Sequence, residues 1–171
     1  MSRFRSALFV IPTLASCVAI TASAASAATQ MSPAPKTETT KSYIFKLTIG
    51  MSEQMWTQAQ VRARHPKTGE VMLMGSMSGG MSMGGSARHL EVHIVSRATH
   101  KVIAGAHPAI MAIDTNVKNA MTIKVPVAEM EGVTEGAADL HYGNNVHLTT
   151  GHTYKITVTL SGERAVFHVK A

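Results

Sequence analysis

The run Arg88-His89-Leu90-Glu91-Val92-His93-Ile94 alternates strictly between polar and apolar side chains. A period of two marks a β-strand with one face in a core and the other outside it. Leu90, Val92 and Ile94 make an ordinary core face, while His89, Glu91 and His93 line the opposite one. Two imidazoles and a carboxylate in a row are costly to cover unless they stay solvated or are put to use. As a helix, the i, i+4 spacing would unite His89 with His93 and exclude Glu91. The β-branched Val92, Ile94 and Val95 favour the strand. Same-face neighbours on a strand lie about 7 Å apart, so His89 and Glu91 can reach one ion. His89 and His93, about 13 Å apart on the same arithmetic, cannot.

The same alternation recurs along the chain. Tyr43 to Ile49, Tyr154 to Leu160 and Arg164 to Lys170 read as half-buried strands, the last two joined by Ser161-Gly162. Gln58 to Arg64 and Val71 to Met74 read as a hairpin around His65-Pro66-Lys67-Thr68-Gly69. Ala120 to Met130 reads as one strand, with Pro126 forcing an edge position or a bulge. Glu131 to Leu140 reads as an acidic loop, and Asn145 to Leu148 is expected to pair with Tyr154 to Leu160. No stretch of ten residues keeps a helical stripe. Seven to eight short strands separated by turn signals predict an all-β, antiparallel β-sandwich. Phe45, Trp56, Tyr154 and Phe167 are its expected large core members.

The first residues follow different rules. Arg3 and Arg5, an apolar run from Ala7 to Ile20 and a small-residue stretch ending near Ala27 read as a secretory signal peptide over residues 1–27. Leu14-Ala15-Ser16-Cys17 offers the alternative of a lipid anchor at Cys17. With cleavage after Ala27 the mature chain has no cysteine, which excludes disulfides and thiolate ligands. Residues 28–42, rich in Thr, Ser, Pro and Lys, read as a flexible linker, so the domain is expected to span 43–171 in the periplasm. The formal net charge of +6 is spread along the chain without a Lys/Arg cluster interleaved with aromatics, so no nucleic-acid partner is expected.

Two further stretches carry chemistry. Met72, Met74, Met77, Met81 and Met83 stand among Gly and Ser with little reason to serve as core. Thioethers are soft, uncharged ligands that favour copper over hard cations. Leu140-His141-Tyr142-Gly143-Asn144-Asn145 holds a histidine at a bend entering a strand. No Gly-x-Ser-x-Gly nucleophile and no phosphate-binding loop is present, so no catalytic residue is assigned.

In this order, Gly80-Met81-Ser82-Met83, His89-Leu90-Glu91, Met130 and His141-Tyr142-Gly143-Asn144-Asn145 resemble the periplasmic Fe(2+)-transport protein family over about residues 80–160. The resemblance implies an immunoglobulin-like, cupredoxin-like sandwich that forms a homodimer, with its metal site near the subunit interface. It also implies a copper- and iron-binding partner of an inner-membrane iron permease. Carried across, the metal ligands are His89, Met130 and His141, with Glu91 as a fourth contact, while Met81, with Met83 beside it, matches the family's other methionine block. Two departures stand out. The interval from Met130 to His141 is longer than the family's, and the short Ser161-Gly162 turn leaves no room for its remaining histidine. His152, His168 or the methionine loop would have to substitute, while His65, His100, His107 and His147 read as surface or core.

The expected function is capture or delivery of copper, with iron as the further candidate cargo, in the cell envelope. A copper oxidase or reductase on the same fold and a metal-free adhesion or assembly module are the rival readings. Since imidazole ligates only when neutral, binding at His89 and His141 is expected to weaken below about pH 6.

Overall fold

The computed structural model describes residues 34–75 and 87–171. Residues 1–27 with Cys17, and Met77, Met81 and Met83, lie outside the described residues. The described residues form eleven strands and one short helix. They are Lys36–Thr39 (β1), Tyr43–Met51 (β2), Met55–Thr57 (β3), Gln58–Arg64 (α1), Glu70–Met74 (β4) and Ala87–Ser96 (β5). Then follow Ala109–Asp114 (β6), Ile123–Val125 (β7), Ala128–Gly132 (β8), Gly136–His147 (β9), Thr153–Leu160 (β10) and Glu163–Lys170 (β11). One sheet has the order β1-β2-β5-β9-β8-β4-β3 and the other β11-β10-β6-β7. The expected β-sandwich therefore stands, with more strands than the sequence had marked.

The core lies between the sheets. Leu90, Val92 and Ile94 of β5 meet Phe45 and Leu47 of β2 and Ile156 and Phe167 of the second sheet, all nearly or fully buried. Each such side chain contributes about 1.5–3 kcal/mol of transfer free energy. On β9 the inward set is Leu140, Tyr142 and Val146. Strand parity then turns His141, Gly143 and Asn145 to the outer face of the larger sheet, beside His89, Glu91 and His93 of β5.

That outer face is not left bare. Met55, Met72, Ala128 and Met130 form a second buried cluster on it. The chain just before β3 is clamped across the same face. The Asn145 side chain accepts from the Glu53 amide at 3.0 Å and donates to the Glu53 carbonyl at 2.7 Å. A sheet face that would ordinarily be wet is thus covered where the histidines stand.

Several local expectations change. Gln58 to Arg64 is a helix, not one arm of a hairpin. Thr57 and Gln60 form a capping box at its start, His65 takes the left-handed conformation at its end, and Gln, Ala and Arg are strong helix formers. The preceding β3 pairs parallel with β4, which needs such a crossover where a tight turn would not serve. Trp56 is only partly buried and its indole donates to the Thr68 carbonyl, whereas Tyr142 is fully buried in the core. Ala120 to Met130 breaks at Pro126 into β7 and β8, which belong to different sheets, and Met121 is 87% exposed. Much of the stretch read as an acidic loop is the β8–β9 hairpin. β9 and β10 do not pair, because Thr149 to Gly151 carries the chain from one sheet to the other. Residues 36–39, within the stretch read as linker, form β1 along β2.

Gly143 lets β9 approach β5 closely, since any Cβ there would overlap the Leu90 carbonyl oxygen. Gly143→Ala is therefore expected to lower the unfolding free energy by more than about 2 kcal/mol in urea titrations. Gly50→Ala, whose Cβ would meet nothing within 4 Å, is expected to change it by less than about 0.5 kcal/mol. Equal effects would show that the β5–β9 contact relaxes freely.

Candidate metal centre

His89 and His141 come from neighbouring strands and are 2% and 0% exposed. Their Nε2 atoms stand 3.4 Å apart and their rings meet edge to face at 88°. What each ring does with its other nitrogen decides the chemistry. His141 Nδ1 lies 2.7 Å from the Asp139 carbonyl oxygen, which can only accept, so Nδ1 carries the proton. His89 Nδ1 lies 3.1 Å from Asn145 Oδ1. That oxygen is identified by the Glu53 amide it accepts from, so His89 Nδ1 donates as well. In the neutral rings both Nε2 lone pairs therefore face each other across a buried gap. Such an arrangement calls for a proton or a metal ion between them. Burial pushes both imidazoles below their ordinary pKa, which disfavours the proton.

Glu70, at the first position of β4, closes the third side. Its Oε2 lies 3.6 Å from His141 Nε2, is buried and has no hydrogen-bond partner. Glu70, His89 and His141 offer three ligand atoms within 4.8 Å of one another. An ion about 2.0–2.1 Å from two nitrogens at a tetrahedral angle sets them about 3.4 Å apart. The imidazole pair meets that spacing. Burial, with Glu53 and Asp139 nearby, pushes the Glu70 carboxyl up to about 8. Burial also raises Glu53.

A second group shares His141. Glu91, His93, Asp139 and His141 likewise offer ligand atoms within 4.8 Å of one another. The His93 and His141 ring centroids are 5.5 Å apart. His93 Nδ1 donates to the Leu140 carbonyl at 3.0 Å, and its Nε2 makes a short contact with Glu91 Oε1. The bond to Glu91 raises the His93 pKa against its partial burial. Burial opposes ionisation of Glu91, yet its bond to His93 and the charges of the histidines hold its pKa below the usual value.

Of the sequence-predicted ligands, the structure brings His89 and His141 together. It places Glu91 on the same face, engaged with His93. Met130 is fully buried and stands directly across from His141 in the β8–β9 ladder, and Met72 stands across from Met130. Met72, Met130 and His141 thus form one cross-strand row. Met81 and Met83 lie outside the described residues. Of the suggested substitutes, His152 is held by Asp114 at 2.7 Å in a pair apart from this cluster. His168 stands opposite Lys155 in the smaller sheet.

Sequence reasoning missed Glu70 and Asp139; it placed His93 on this face and set it apart from an ion at His89, and the two groups keep those residues separate. Glu70 opens a β-strand directly after a turn, and its parity with Met72 was the available signal: both project to the face that Met130 and His141 share.

A family model described as Fe2+ transport protein matches residues 46–170. No curated protein and no solved structure matches the chain. The matched span runs from β2 to the last residue of β11 and includes Glu70, His89, Met130 and His141. The chain belongs to the Fe2+ transport protein family.

Proposed function

We propose that this chain captures a transition-metal ion in the periplasm, ferrous iron with copper as the competing cargo, and delivers it to an envelope transporter without turnover. The facing Nε2 atoms of His89 and His141, with the unpartnered Glu70 oxygen beside them, are the observation that carries this reading. Two imidazoles and one carboxylate that leave coordination positions open suit iron(II). The buried Met130 and Met72, in register with His141, add soft donors next to that set, which is the case for copper. The leader-like residues 1–27 support a periplasmic location. The family resemblance supports an inner-membrane iron permease as recipient and a second copy of the chain as partner.

The Asp139 carbonyl and Asn145 do what outer ligands do around a metal: they fix the tautomer and aim each ring. Binding would replace the proton on Glu70 by the ion. Near neutral pH, where Glu70 holds its proton and both histidines are neutral, uptake of one ion therefore releases about one proton. The affinity rises with pH through the Glu70 range near 8, a higher window than the histidines alone would give.

Anaerobic calorimetric titration with Fe(II), and separately with Cu(II), tests this. His89→Ala, His141→Ala and Glu70→Gln are each expected to weaken binding by at least about 100-fold. Asn145→Ala is expected to cost about 10–100-fold. Unchanged binding in all four would remove the centre. The wild type titrated in two buffers of different ionisation enthalpy should show about one proton released per ion at pH 7. Glu70→Gln should show none.

Glu70 also sets a pH dependence in the metal-free protein. A carboxyl whose folded pKa is raised contributes most below its unfolded value and loses that contribution as pH climbs through the folded one. Stability from this group therefore falls between about pH 4.5 and about 8. Metal-free Glu70→Gln is expected to exceed the wild type by about 2–4 kcal/mol at pH 8.5, and by much less near pH 5. Parallel stability curves would show that Glu70 ionises freely in the fold.

A further inference from the structure

A cavity of about 270 Å³ opens over the candidate centre. Its walls include Glu53, Glu70, Glu91, Glu135 and Asp139, against one basic residue, Lys67. Among the described residues every ion pair involves a histidine, and of these five carboxylates only Glu91 is drawn tightly into one. On a chain with a formal net charge of +6, such a concentration of acid runs against the overall balance. Two of the carboxylates converge: a Cβ built at Gly132 would run into both Glu135 Oε2 and Asp139 Oδ2. The inner end of the cavity is Glu70, 6% exposed, whose Oε2 has no hydrogen-bond partner.

We propose that this cavity is an entry vestibule in which Glu135 and Asp139 hold a hydrated divalent cation before it loses water to Glu70, His89 and His141. The proposal rests on the metal-capture reading above and adds the route and its charge selectivity. Hard carboxylate oxygens bind a hydrated ion through its water shell, with little demand on geometry. Low-dielectric walls of one sign focus the field and raise the local cation concentration. Metal entry into a buried site proceeds through such an encounter complex, so the association rate scales with vestibule occupancy. Lys67 opposes that occupancy, and removing its charge should speed entry. Both Glu135 and Lys67 lie outside the buried set that would ligate the ion.

The sole tryptophan reports on this space, because the Trp56 indole donates at 3.0 Å to the carbonyl of Thr68, a residue of the cavity wall. Stopped-flow mixing of the full chain with Co(II), followed by Trp56 fluorescence and by cobalt ligand-field absorption, gives the association rate. At low ionic strength Glu135→Gln is expected to slow association at least about 3-fold, and Lys67→Gln to speed it at least about 2-fold. Raising the salt from 10 to about 300 mM is expected to slow the wild type at least about 5-fold and Glu135→Gln distinctly less. Association rates equal in all three proteins and insensitive to salt, with the ion still bound, would overturn the vestibule and leave the centre standing. A wild type that binds no Co(II) would overturn the centre, and the vestibule with it.

Discussion

Two buried imidazole lone pairs pointed at one another are the constraint on which the rest of this structure turns. Neither ring is free to relieve it by changing tautomer. The His141 proton is held on Nδ1 by the Asp139 carbonyl, and the His89 proton by Asn145, itself locked to the backbone of Glu53. Burial then disfavours the simplest remedy, an added proton. Two lone pairs at this distance repel, which opposes folding of this face. With a cation between the rings, the same geometry becomes a site. The Glu70 oxygen at 3.6 Å adds to this from the third side, since a buried polar atom without a hydrogen-bond partner is a penalty that a bound cation would remove.

The fold makes this possible by covering the face of a sheet that ordinary sandwiches leave wet. β5 and β9 send their apolar residues to the common core, and parity alone delivers the histidines to the outer side. The small Met55, Met72, Ala128 and Met130 cluster and the clamped chain at Glu53 then exclude water from part of that side. Gly143 allows the two histidine-bearing strands to lie close enough for the rings to face. Hard and soft donors meet at one edge of this patch. The carboxylates come from β4, β5, β9 and the turns, while the thioethers of Met72 and Met130 stand in the row ending at His141. Carboxylate and imidazole donors suit hard and borderline cations, and thioethers suit soft ones.

Strand alternation made the core halves of β2, β5, β10 and β11 legible in the sequence, because a period of two survives any sheet order. It also made the outward row His89, Glu91, His93 legible, and the motif around His141 marked the second histidine, though at a bend entering a strand where the structure has it in the middle of β9. Pairing was not legible. Nothing local states that β9 joins the larger sheet and β10 the smaller, or that β3 runs parallel to β4. Short apolar alternation also misled at Gln58 to Arg64, where capping by Thr57 and Gln60 outweighed the pattern. Glu70 escaped notice for a related reason. It adjoins a turn in the sequence, and only the β4–β8–β9 pairing reveals that its face is the histidine face.

The most direct test of a shared ion is nitrogen-15 NMR of histidine-labelled protein titrated with Zn(II), a diamagnetic stand-in for the cargo. Both His89 and His141 should begin as Nδ1-protonated tautomers. Their Nε2 resonances should move together to a single end-point at one equivalent, with both Nδ1 protons retained. Movement of only one ring, or ligation through Nδ1, would contradict the account, because the two lone pairs would then have no ion in common.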